Sequence, residues 1–204
     1  MEITVLGATG ATGTELVRQG LDRGHAVTAV ARDPDRITLP PSGRLTRVAG
    51  DVLDPDSIGR ALKGAGVVLS GLGITGAPGV LSAGARAAVD AGPGFIVWLA
   101  AFGTGDSARY AGAFTRGLLK TFMKKELDDR TTADAIVLRG GGTVFHAGPL
   151  SNGDLSPARR TVPVESAPRR FFPARVSRAT VAAAMLDEAE QRRYGGRIAV
   201  PLER

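Results

Sequence analysis

Ile3-Thr4-Val5-Leu6 runs without a break into Gly7-Ala8-Thr9-Gly10-Ala11-Thr12-Gly13 and then into Thr14-Glu15-Leu16-Val17. An apolar strand, a glycine turn and a helical run in direct succession are what a backbone needs to hold a phosphate group. Gly7 can make the strand-to-helix turn, Gly10 leaves the backbone bare for a close anion, and Gly13 lets the helix lie against the strand. The helix starting near Ala11 directs its unpaired N–H groups and its positive dipole end at that anion, with the Thr9 and Thr12 hydroxyls as further donors. The spacing is G-x-x-G-x-x-G, not the commoner G-x-G-x-x-G. The place of the glycines, between strand and helix at the start of the chain, separates them from an ordinary turn.

Outward from this turn, strands and helices alternate. The reading places strands at Glu2 to Leu6, Ala26 to Ala31, Leu45 to Ala49, Val67 to Leu69, Phe95 to Leu99, Ala135 to Leu138 and Arg197 to Val200. Helices are expected at Ala11 to Arg23, from the Asp54-Pro55-Asp56 cap to Lys63, at Val80 to Ala91, at Ala111 to Arg130 and at Arg178 to Gln191. Short, continuously apolar strands between helices predict a doubly wound α/β fold, a Rossmann-type parallel sheet covered on both faces. A length of 204 residues fits one domain, since domains commonly reach ~200 residues. Substrate-side loops are expected at about 100–115 and 140–176.

Composition narrows the function classes. There is no cysteine, so disulfides, thiolate metal sites and a cysteine nucleophile are excluded, as suits a reducing cytoplasm. No run reaches the ~20 apolar residues of a membrane span, and no signal-peptide pattern opens the chain. A soluble cytoplasmic protein is expected. The net charge is +6, but the basic residues are spread over the chain and are mostly arginine. The densest group, Arg159, Arg160, Arg169, Arg170, Arg175 and Arg178, can attract phosphates. Without a helix-turn-helix, RNP or zinc pattern, a solvated surface or subunit contact is the better reading, and direct nucleic-acid binding is not expected. No His/Asp/Glu cluster has metal-ligand spacing and no Gly-x-Ser-x-Gly elbow occurs.

In a doubly wound fold ligands meet the carboxyl ends of the strands. There the chain offers Arg32-Asp33, Gly50-Asp51-Val52, Ser70-Gly71-Leu72-Gly73, Ala100-Ala101-Phe102-Gly103 and Arg139-Gly140-Gly141-Gly142. A carboxylate after the second strand accepts from the ribose 2′-hydroxyl of NAD, whereas a guanidinium pairs with the 2′-phosphate of NADP. Arg32 therefore favours NADP over NAD and can also stack on adenine. Asp33, which would repel that phosphate, is expected to turn outward and open the Asp33-Pro34 turn. Asp51 can accept from the adenine amino group and Val52 can offer a backbone contact. Ser70, Gly71 and Leu72 are expected along the ribose, with Ala100 and Ala101 beside the nicotinamide end.

The opening Gly-Ala-Thr-Gly-Ala-Thr-Gly, Ala31-Arg32-Asp33, Gly50-Asp51-Val52 and Val176-Ser177-Arg178-Ala179-Thr180-Val181-Ala182 together resemble the atypical short-chain dehydrogenases/reductases. Within that superfamily the chain is similar to the small NAD(P)-binding proteins related to NmrA and to biliverdin reductase B, the flavin reductases. Ala135 to Gly140 resembles the group's strand ending in Arg-Pro, with Gly140 replacing proline. The resemblance implies either a reductase of a planar, flavin- or quinone-like acceptor or a non-catalytic NAD(P) sensor. A nucleotide-sugar enzyme is disfavoured by the short C-terminal part.

The superfamily's Tyr-x-x-x-Lys pair is missing, since Phe114 stands four residues after Tyr110, and Lys120, Lys124 and Lys125 have the wrong spacing. Hydride transfer to a flavin or quinone needs mainly alignment, and its proton can come from solvent. Phe102, Thr104, Asp106, Ser107, Tyr110, Thr143, Phe145 and His146 are candidates for the substrate walls. Tyr110 and His146 are the candidate proton donors. Gly140 to Gly142 reads as a lid hinge or a permissive turn, and His25 falls at the opposite end of the sheet.

Overall fold

The computed structural model describes residues 1–73, 78–104, 124–168 and 173–203. Its main sheet is built from β1 (Glu2–Leu6), β2 (Ala26–Ala31), β3 (Leu45–Ala49), β4 (Val67–Ser70), β5 (Phe95–Ala101), β6 (Thr143–Ala147), β8 (Arg160–Pro163) and β10 (Ile198–Leu202). A separate short ladder pairs β7 (Leu150–Ser151) with β9 (Val176–Ser177). The helices are α1 (Ala11–Asp22), α2 (Pro55–Leu62), α3 (Val80–Asp90), α4 (Lys124–Arg139) and α5 (Arg178–Gln191). Strand order in the main sheet is β3-β2-β1-β4-β5-β6-β10-β8. Every pairing is parallel except β8 with β10. This is the expected α/β Rossmann-type sheet.

Alternation along the strands sends side chains to two separate cores. On one face Ile3, Val5, Val67, Leu69, Val97 and Phe145 meet Leu16 and Val17 of α1 and Val181, Met185 and Leu186 of α5. On the other, Leu6, Val68, Ile96, Trp98 and Val144 meet Ile58 and Leu62 of α2, Leu81 and Ala85 of α3 and Ala133 and Val137 of α4. Strands buried on both faces read as unbroken apolar runs, which is why they stand out in the sequence.

The structure corrects one element. Ala135 to Leu138 is not a strand but the last full turn of α4, with Ala133 and Val137 as its buried stripe. Four apolar residues fit a strand or a buried helix equally well, and here the helix continues from the charged residues before them. The strand at this place in the order is β6, five residues further on and buried throughout. Gly140 to Gly142 therefore close α4 and lie at the sheet edge opposite to the one expected. Gly141 takes φ +78°, and the Gly140, Gly141 and Gly142 N–H groups donate to the Ile136, Leu138 and Val137 carbonyls. A Cβ on Gly142 would lie 2.9 Å from the Ile96 carbonyl oxygen, so this is a packed helix end and not a lid hinge. The helix expected over Ala111 to Arg130 falls mostly outside the described residues. α4 begins at Lys124 within them and runs on to Arg139.

Candidate functional site

The glycine turn does what its spacing requires. Gly7 adopts φ +73°, in the left-handed region where a Cβ is costly. Gly13 sits so close to it that a Cβ there would be 2.1 Å from the Gly7 carbonyl oxygen. Gly10 precedes α1 in extended conformation, with no side chain capping the helix start. The first N–H groups of α1 therefore depend on whatever enters the cleft in front of them. The Ala8 N–H donates to the Val30 carbonyl (3.2 Å) and the Thr14 hydroxyl to the Ala8 carbonyl (3.2 Å), which ties the turn to β2 and α1.

Two adjoining cavities run along the carboxyl edge of the sheet, meeting at Gly10, Gly71, Leu72 and Gly73. The first, about 250 Å³, is lined by Gly7, Thr9, Arg32, Arg36, Asp51 and Val52, among others. The second, about 640 Å³, carries Ala11, Thr12, Ala100, Ala101, Phe102, Arg130 and Arg178 on its walls. Among the described lining residues the ionisable side chains are Arg32, Arg36, Arg130 and Arg178 against the single carboxylate of Asp51. The cleft is thus a bare-backbone cradle with cations towards both ends. Backbone N–H groups at the Gly10–Thr12 turn and the cations of Arg32 and Arg36 are donors of the kind that phosphate groups need.

Most of the sequence-expected binding residues come together here. Asp33 is not among the lining residues, and its carboxylate accepts from the Asp35 N–H (3.2 Å) to cap the 3-10 turn Pro34–Arg36. That turn brings Arg36 to the cavity beside Arg32, a second guanidinium that the strand-end rule does not point to. Asp51 lines the cavity while its Oδ1 accepts from the Leu53 N–H (3.0 Å). Ser70 is fully buried and lines neither cavity. Its Oγ accepts from the Leu72 N–H (3.3 Å), so it shapes the Gly71–Gly73 loop from beneath instead of meeting a ligand. Gly13 likewise acts through helix packing.

The acceptor side departs further from expectation. Thr143, Phe145 and His146 are not loop residues but fully buried members of β6. The Thr143 hydroxyl donates to Glu188 (2.8 Å), and His146 Nε2 pairs with Asp134 Oδ2 across 3.1 Å. His146 lines neither cavity, so the placement expected of a proton donor is not realised. Thr104 is buried and donates to the Ala101 carbonyl (2.8 Å), while Phe102 does face the cavity. Asp106, Ser107, Tyr110 and Lys120 lie outside the described residues. Gly148-Pro149-Leu150, which line the larger cavity after β6, fall within the loop expected at about 140–176, whereas Arg130 on α4 is not among the expected residues because finding it depends on placing α4. Arg178, which the sequence places both in the basic stretch and in the Val176–Ala182 segment of the family resemblance, is the first residue of α5 and donates to Asn152 Oδ1 (2.6 Å).

Two carboxylates, the half-buried Asp129 and the buried Glu188, serve as fasteners. Asp129 of α4 accepts from the Leu81 and Ser82 N–H groups (3.0 and 2.9 Å) and so caps α3, whose own N-cap, Gly79, has no side chain to do it. Glu188 accepts from Thr143, from the Arg193 N–H (3.0 Å) and from the Tyr194 N–H (2.8 Å), closing the far end of α5 against β6. No group of three or more His, Cys, Asp and Glu residues able to hold a metal occurs among the described residues. No described helix is long and apolar enough to cross a membrane.

Known proteins share this architecture. ChuY of Escherichia coli O157:H7, an anaerobillin reductase, superposes with TM-score 0.80 at 20% identity, covering 100% of this chain and 97% of its own. A wide-type short-chain dehydrogenase/reductase from Veillonella parvula, solved with NADP, gives TM-score 0.79 at 20% identity, covering 98% and 93%. At such identities the likeness shows the fold. Photosystem II assembly factor Ycf39 of Synechocystis is 30% identical over 69 residues, 34% of this chain, and the match spans about a fifth (21%) of that protein. The model of the NAD(P)H-binding family matches residues 7–192, and the chain belongs to that family.

Proposed function

We propose that the protein is an NADPH-dependent reductase of a small planar acceptor, flavin- or quinone-like. The observation that carries this reading is the continuity of the cleft. A cationic, glycine-floored half opens directly into a larger, mostly apolar half lined by Leu99, Ala100, Phe102, Pro149 and Leu150. Such a cleft can align a flat acceptor beside a nicotinamide, and alignment is the main protein contribution to this chemistry. When bound, NADPH supplies a hydride and solvent a proton, so that NADPH, acceptor and H⁺ become NADP⁺ and the dihydro acceptor. The preference for NADPH over NADH is supported by Arg32 and Arg36 lining the end of the cleft after β2, with Asp33 engaged in its own turn.

In this reading Gly7, Thr9, Gly10, Ala11, Thr12, Arg32, Asp51, Val52, Gly71, Leu72, Ala100 and Ala101 contact the cofactor, while Gly13 and Ser70 position the loops that do. Tyr110 stays a candidate proton donor by sequence, and none is proposed for His146. The proposal includes a cytoplasmic protein whose partner is a small molecule.

The missing Tyr-x-x-x-Lys pair favours one other reading, a sensor that binds NAD(P) without turning it over. Steady-state NADPH oxidation with FMN, riboflavin and a soluble quinone separates the two. Turnover on at least one acceptor is expected. Saturable NADPH binding with no turnover on any of them contradicts the reductase and supports the sensor.

A further inference from the structure

We propose that Arg130 and Arg178 form an oxyanion clamp at the acceptor end of the cleft, selecting planar acceptors that bear a carboxylate or phosphate substituent. The clamp rests on the reading of this cavity as an acceptor site. Both guanidiniums line the larger cavity, whose other described lining residues are apolar or glycine apart from Thr12. No carboxylate lines it among the described residues.

Arg130 makes no hydrogen bond or ion pair among the described residues, and its Nε is buried without an acceptor. Burying a charged donor unpaired is expensive, and an oxyanion on the ligand removes that cost with a charge-assisted, two-pronged bond. Lysine could not reproduce the planar fork.

The two cations are held by rigid elements. Arg130 follows Asp129, which is bonded to the start of α3. Arg178 opens α5, whose first turn is fixed by Ser177 Oγ accepting from the Thr180 N–H (3.1 Å) and by Glu203 accepting from the Ser177 N–H (2.8 Å) and the Thr180 hydroxyl (3.1 Å). Asn152 engages one nitrogen of Arg178 and leaves the rest of its fork available. Part of the basic stretch noticed in the sequence thereby acquires a use.

The test measures ligand binding to NADP⁺-loaded protein, so it does not require turnover. Two matched pairs serve as probes, FMN with riboflavin and anthraquinone-2-carboxylate with 2-(hydroxymethyl)anthraquinone. In each pair the members share a ring system and differ in the anionic group. Wild-type protein is expected to prefer the anion in at least one pair by about tenfold or more. The pair that shows the preference tells phosphate from carboxylate. Arg130→Met should abolish the preference through loss of anion affinity, Arg178→Met should reduce it, and Arg130→Lys should restore part of it. Thermal melts of each variant control for folding. The clamp is overturned if wild type shows no preference in either pair, or if Arg130→Met weakens both members equally. It is also overturned if that variant weakens NADP⁺ instead, which would assign the guanidinium to the cofactor. Anion-selective binding without NADPH oxidation would keep the clamp and sink the reductase.

Discussion

The half of the cleft proposed for adenosine and pyrophosphate is centred on backbone, whereas the half proposed for the acceptor is assembled from side chains far apart in the chain. In the first, residues 7–13 supply turn, phosphate cradle and helix start within a single stretch, and Arg32, Arg36 and Asp51 follow at the next two strand ends. In the second, Phe102 follows β5, Arg130 rides on α4, Pro149 and Leu150 follow β6 and Arg178 opens α5. A site made of contiguous backbone tolerates almost no change of residue type, since each glycine is fixed by a close approach. A site made of separate side chains can change specificity by single substitutions while the cofactor stays bound.

The sharpest way to break this contrast is a pair of glycine substitutions, one in each half. Gly13→Ala would put a methyl 2.1 Å from the Gly7 carbonyl oxygen, and Gly148→Ala would put one 2.0 Å from that of Ala174. Overpacking against backbone costs about 3 kcal/mol or more, so both variants should unfold at clearly lower urea concentration. Below that transition Gly13→Ala should lose NADPH affinity, while Gly148→Ala keeps it and loses acceptor affinity. Loss of NADPH by both would show that the halves are not separable.

The same contrast explains what was legible in the sequence. The phosphate turn, the Asp33 and Asp54 caps and the order of the first five strands depend on local chemistry, and the structure has them where the residues implied. Ala135 to Leu138 reads as a strand and folds as helix because an apolar run of four carries no period long enough to separate the two. β6 was hidden because Thr143 and His146 break its apolar pattern, and their polar atoms are satisfied by Glu188 and Asp134 from other elements. Arg130 could not be found without the tertiary fold, since nothing adjacent in sequence marks it.

Smaller effects are expected where residues fasten the scaffold without lining the cleft. Glu188→Ala strands the Thr143 hydroxyl and two N–H groups at the edge opposite the cleft. It should cost about 3 kcal/mol in urea unfolding, with NADPH affinity retained by the folded protein. Asp129→Ala removes the cap of α3 and should cost about 1 kcal/mol, measured in the same way.

The smallest effect is on acid stability. Burial pushes the Glu190 carboxyl up, but hydrogen bonds from His25 and Arg23 outweigh it and leave the group below its ordinary value. The stability this contributes is present above that value and is lost as pH falls through the depressed one. Glu190→Gln should flatten the acid limb of the stability profile over that window, read from melting temperatures between pH 5 and 3.

In the proposed function the first half of the cleft is an NADP site read by its guanidiniums. Titration of the protein with NADPH and NADH, followed by nucleotide fluorescence, tests this most directly when run on wild type and Arg32→Ala. Saturable binding with NADPH the tighter ligand is predicted, and Arg32→Ala should weaken NADPH by about tenfold or more while changing NADH much less. No saturable binding, or equal losses for the two nucleotides, would contradict it.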